Sequence, residues 1–148
     1  MDLEQIFSIC GMIAMLGWVG LILAPRWSIT RDWYAPVVAP LVIGVVYVTL
    51  MLTYIDQAPA DGGFGSLAAV ASLFTVHELL LAGWIHYLAF DLFVGAWEVK
   101  DAQENNIHHL LIIPCLLATF MAGPGGLLLY WIIKLIVQGI RKQSAEVA

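Results

Sequence analysis

Long apolar runs broken by short polar stretches leave this chain few folds to choose from. Ile6 to Leu23 is almost continuously apolar, with Asp2 and Glu4 before it and Pro25, Arg26 and Trp27 after it. At 1.5 Å per residue such a run crosses the hydrocarbon layer of a bilayer, and a tryptophan beside a cation is a usual interfacial border. Tyr34 to Tyr54 has a similar length, with tyrosine at both ends and Pro36 and Pro40 early, where proline starts a helix or kinks one. The segment Asp56 to Ser66, DQAPADGGFGS, gathers Pro, Gly and Asp and reads as a water-facing loop. Only 11% of the 148 residues are charged and 61% are hydrophobic; a water-soluble domain carries about 25% charge. The chain therefore reads as an integral membrane protein.

From Leu67 to Glu98 the apolar pattern is too long for one crossing, so the sequence predicts a lead-in helix ending near Val76 and a third span from about Glu78. Lys100 to Asn106 is polar. A last apolar run extends from Ile107 to about Ile140, interrupted by GPGG at Gly123 to Gly126, which must kink or break a helix. The expected fold is all-α: one polytopic helical bundle over residues 1–148, with about four transmembrane helices, the last one broken, and a short lead-in helix before the third. The break is open to two readings, a packing kink or backbone exposed to a cavity. With four crossings, Arg26, Arg31 and Lys100 fall on one side and Lys134, Arg141 and Lys142 on the other, so the positive-inside count ties. The acidic start without a basic leader predicts a retained first span rather than a cleaved signal. The net charge of -5 is dispersed, and no basic cluster points to nucleic acid or to an anionic lipid patch. Cys10 and Cys115 lie in apolar runs and read as buried thiols.

Within the third span, GWIHYLAFDLFVGAWE at Gly83 to Glu98 places His86, Asp91 and Glu98 among apolar residues. An ionisable group at bilayer depth costs about 2.5 to 3.5 kcal/mol even on insertion scales and is usually retained for a task. Asp91 and Glu98 are seven residues apart and share one helix face with Tyr87 and Val94, about 10 Å from each other along the axis. His86 points well round the helix from Asp91. Polar groups on more than one side predict a central place for this helix. Trp84 and Trp97 flank the stretch, as interface markers or as walls of a flat apolar pocket. Glu98, Lys100, Asp101, Glu104, His108 and His109 crowd the turn that follows, a density that suits acid–base chemistry or a wet helix start. His77, Glu78 and His86 do not form the helical H-E-x-x-H zinc motif, and no metal site is predicted.

The stretch from His77 to Lys134 resembles the abscisic-acid-deficient-four-like family of small membrane proteins. The combination GWxHYLAFDLFVGxW, IxHL, PCL and TFxxGPxGxLLY, between Gly83 and Tyr130, carries the resemblance. It implies a multi-span protein of carotenoid metabolism, linked in plants to conversion of the epoxide violaxanthin into the allene neoxanthin. It implies no residue roles; those come from the chemistry. Opening an epoxide to an allenic alcohol needs a proton given to oxygen and one taken from carbon, with no redox cofactor. Asp91 is the expected general acid, with Glu98, His86 or His109 as the acceptor. Trp84, Tyr87, Phe90 and Trp97 are the expected polyene contacts. The expected partners are a carotenoid or other apolar lipid, the bilayer, and a larger membrane complex or a second copy. The expected location is a bacterial inner membrane, cytoplasmic or photosynthetic. Two rival readings stand beside this one. The first is a non-catalytic carotenoid- or lipid-binding subunit of a larger assembly. The second is a haem or quinone electron-transfer subunit using two of His77, His86, His108 and His109.

Overall fold

Six α-helices and no strand make up residues 2–147, the part of the chain described by this computed structural model. Helix α1 (Leu3–Leu23) begins where the Gln5 side-chain oxygen accepts from the Asp2 backbone N–H at 3.3 Å, and it ends before Pro25. The second crossing starts earlier than its apolar run does. Ile29–Val38 is a π-helix that passes directly into α2 (Ala39–Tyr54) and a final 3₁₀ turn, Ile55–Gln57. Proline in a regular helix clashes with the carbonyl four residues back and donates no bond; the wider π turn, seen in the Ala39 N–H bond to Tyr34 O, relieves that crowding around Pro36 and Pro40.

Ser66 caps the short α3 (Leu67–Leu73), accepting from Ala69 N at 3.1 Å. The lead-in helix stops three residues short of Val76, and a turn leads into α4 (His77–Glu104). At 28 residues α4 is about 42 Å long. It packs against α1, the π segment, α2, α5 and α6, and half of its apolar window is buried, so the expected central position is where it lies.

The last apolar run departs from expectation. Helix α5 (His109–Ala122) has 14 residues, about 21 Å, which falls short of the ~30 Å hydrocarbon core. It ends at Gly123, whose φ of 42° is a left-handed value that a side chain would strain. Helix α6 (Pro124–Val147) then turns back. Gly123 lies against Asp91, Lys134 reaches Asp101, and Arg141 donates to the carbonyls of Asn105 and Asn106, so α6 descends beside α4 toward the end from which α5 rose. A residue larger than glycine at position 126 would put its Cβ 2.0 Å from the Thr119 amide nitrogen, and this contact presses the two arms together. The broken fourth crossing is thus a helical hairpin with its tip beside the middle of α4. Among the described residues three helices, Leu3–Leu23, Ile29–Gln57 and His77–Glu104, are long and apolar enough to cross a membrane.

This topology also sorts charge. All six Lys and Arg lie toward the end where α4 terminates, while Asp2, Glu4, Asp56, Asp61 and Glu78 lie at the other end. Cys10 and Cys115 are buried free thiols.

Candidate functional site

The carboxyls of α4 meet the hairpin. Glu98 is 0% exposed, and its Oε1 accepts from Thr119 Oγ1 at 2.9 Å. Asp91, one stripe position toward the helix start, is 9% exposed and faces Gly123, where a Cβ would stand 2.9 Å from Oδ1. Asp91 Oδ2 and Glu98 Oε2 are both buried without a hydrogen-bond partner. An unpaired buried polar atom costs ~1–3 kcal/mol or more, and native structures keep few of them. Thr119 lies in the last turn of α5 and Gly123 just past its end, so both carboxyls of the α4 stripe face the tip of the hairpin. Tyr87, on the same stripe, donates to the Phe120 carbonyl at 3.1 Å and ties the hairpin tip to α4.

Below this pair lies a second cluster that holds the returning arm. Asp101 accepts from Lys134 Nζ at 2.6 and 2.9 Å and from the hydroxyl of Tyr130. Tyr130 is fully buried and packs edge-on to Trp97 at 5.5 Å between ring centroids, while Lys134 sits 4.8 Å over the Trp131 ring. Thr119, Gly123, Gly126, Tyr130 and Lys134 all shape the site without a role in the sequence analysis, and Asp101, expected there in an acid–base cluster, instead holds Lys134 and Tyr130. Lys134 carried a usable signal, a lone cation inside an apolar run.

The other predicted site residues divide. His86 is exposed on a different face of α4, 4.6 Å from the Phe90 ring and 5.6 Å from Tyr47. With Phe90 it lines an apolar groove of about 420 Å³ against Pro36, Pro40 and Gly44. His109 Nε2–H donates to the Ile22 carbonyl at 3.0 Å, which fastens the start of α5 to the end of α1. Trp84 stacks on Phe7 at 5.9 Å and borders a groove of about 440 Å³ at the acidic end. Asp91, Glu98 and Tyr87 therefore face the hairpin, with the Trp84 ring 5.6 Å from that of Tyr87 and Trp97 against Tyr130 in the cluster below, whereas His86 with Phe90, and His109, occupy other places. His77 and the pair His108 and His109 lie at opposite ends of α4 with His86 between, and no two of the four face each other across helices as an axial haem pair would. Among the described residues no group of three or more His, Cys, Asp or Glu could hold a metal ion.

Comparison with known proteins adds two matches. A family model described as ABA DEFICIENT 4-like matches residues 5–130. The curated "Protein ABA DEFICIENT 4, chloroplastic" of Arabidopsis thaliana is 29% identical over 145 residues, an alignment covering 90% of this chain and 62% of that protein. The chain thus spans less than two thirds of the length of the curated relative. That relative is a plastid protein of a plant, and it lends no support to a bacterial inner membrane. No solved structure matches.

Proposed function

Since the chain belongs to the ABA DEFICIENT 4-like family, we propose that it is a membrane protein of xanthophyll metabolism that isomerises a xanthophyll epoxide by acid–base catalysis at Asp91 and Glu98. The observation that carries this reading is the pair of buried carboxyls on one stripe of α4, each with an oxygen left free of protein partners. Ring opening breaks one C–O bond of the epoxide. Asp91 gives its proton to the released oxygen, and Glu98 takes the proton lost from the neighbouring carbon as the allene forms. The product is an isomer, so no electron enters or leaves, and one proton passing from Glu98 back to Asp91 restores the starting state. Thr119 holds Glu98 Oε1 and leaves Oε2 to act.

The protein crosses the bilayer three times, and the hairpin of α5 and α6 re-enters from the basic end. Irregular backbone at this depth is tolerable because it is covered by α4. The positive-inside rule, tied for four crossings, now favours one orientation, with the C-terminal end facing the cytoplasm or stroma. Neither carboxyl lines the apolar grooves of the surface, and the hairpin tip at Gly123 covers Asp91.

The lipid-facing groove beside His86 favours a second reading, a pigment-binding subunit that retains a carotenoid unchanged. Expression in a carotenoid-producing host, with and without Asp91→Asn, separates the two. Conversion in the wild type that is lost in Asp91→Asn, with pigment still copurifying, supports catalysis. Undiminished conversion in Asp91→Asn removes it from the chemistry, and retention without conversion in the wild type supports the binding subunit.

A further inference from the structure

At the basic end, the loop after α1 and the turn between α4 and α5 enclose a cleft of about 760 Å³, lined among others by Leu23, Arg26, Trp27, Asn106, His108 and His109. No carboxylate lines it. Arg26 is exposed and makes no hydrogen bond or ion pair among the described residues, unlike Arg31, which is held by Asp32 and Gln103. The acids of the same end are mostly occupied: Asp32 by Arg31, and Asp101 by Lys134 and Tyr130. Glu104 is exposed outside the lining.

The imidazoles are set by their own bonds. His108 Nδ1 accepts from the Leu110 amide at 3.3 Å, which puts the ring hydrogen on Nε2 and leaves that N–H as a donor. His109 is spent on Ile22. Arg26, His108 and the Asn106 amide thus supply donors with no acid to answer them. The position completes the chemistry. Trp27 is 55% exposed where α1 ends, and Leu23 and Ile107 carry the wall of the cleft toward the apolar layer. Arg26 and His108 are far apart in sequence, so only the fold makes them neighbours.

We infer that this cleft binds the phosphate-bearing headgroup of an anionic bilayer lipid, its acyl chains descending along Leu23 and the outer face of α1. The charge asymmetry of the helix ends supports a lipid over a free anion. All the basic residues sit at this end, which the positive-inside rule directs to the leaflet face where anionic lipids concentrate.

The test uses the full chain in nanodiscs of mixed phosphatidylglycerol and phosphatidylcholine, released for native mass spectrometry. Wild type retains phosphatidylglycerol over phosphatidylcholine, and Arg26→Gln lowers that preference about fivefold, the scale of one basic residue near an anionic surface. Lys142→Gln, which removes an exposed cation of the C-terminal arm outside the cleft, leaves the preference intact. Equal retention of the two lipids by wild type, or an equal loss in Lys142→Gln, overturns the assignment. Displacement of the retained lipid by inorganic phosphate marks a free-anion site and overturns the lipid as its occupant.

Discussion

Replacing Lys134 with Met removes the cation that faces Asp101 and two of the three hydrogen bonds this carboxylate accepts. Breaking a buried ion pair from one side costs ~3–5 kcal/mol, because a charge is left without compensation. The side chains of Lys134 and Asp101 are 10% and 16% exposed, so the lower end applies, about 3 kcal/mol, or on the order of a hundredfold in the folding equilibrium. Removing both partners in Asp101→Asn with Lys134→Met leaves no stranded charge and costs about 1 kcal/mol. The double variant is then about 2 kcal/mol more stable than Lys134→Met alone, a gap well above the error of such measurements. Reversible unfolding in mixed micelles by titration with sodium dodecyl sulfate reads these differences directly. Should Lys134→Met and the double variant unfold at the same point, the pair does not hold the returning arm and the energetic reasoning fails.

Gly126→Ala drives a methyl to within 2.0 Å of the Thr119 nitrogen and should lower the unfolding midpoint sharply, while Gly125→Ala, whose Cβ meets only Ala122 at 3.7 Å, should be tolerated. Thr119→Val keeps the shape but takes the one hydrogen bond from Glu98; a loss of ~1–3 kcal/mol, together with reduced conversion in the pigment assay, is the expected result. His86→Leu, remote from the carboxyl pair, should leave conversion intact, and loss of conversion would return the imidazole to the chemistry.

The end of α1 before Pro25 and the start of α4 near Glu78 were legible, but α4 runs through the polar Lys100 to Gln103 and ends at Glu104, six residues past Glu98, because Asp101 there is held by Lys134 and Tyr130. The second crossing was read too short. Thr30, Arg31 and Asp32 look like a loop, but Thr30 is buried where it presses on Gly20, and Arg31 donates to Gln103 at 2.6 Å across 72 residues of sequence. Hydropathy measures how apolar a run is and carries no direction. GPGG therefore marked a break without telling whether the chain continued or turned back, and that was decided by the fit of Gly126 on Thr119 and the reach of Lys134 to Asp101. The seven-residue spacing did foretell that Asp91, Glu98 and Tyr87 share a face. It also argued against His86, which lies about 140° round the helix from Asp91 and was included only for its chemistry.

The fold-back of α5 and α6 is what sets Thr119 and Gly123 against the carboxyls of α4, and cysteine accessibility across a sealed vesicle tests it most directly. Single cysteines at Glu104, Ser144 and Gly63, with Cys10 and Cys115 replaced by Ala, would be reacted with a membrane-impermeant maleimide from each face. A re-entrant hairpin predicts that positions 104 and 144 react from one face and 63 from the other. Labelling of 144 from the same face as 63 would mean a full fourth crossing and would contradict the site.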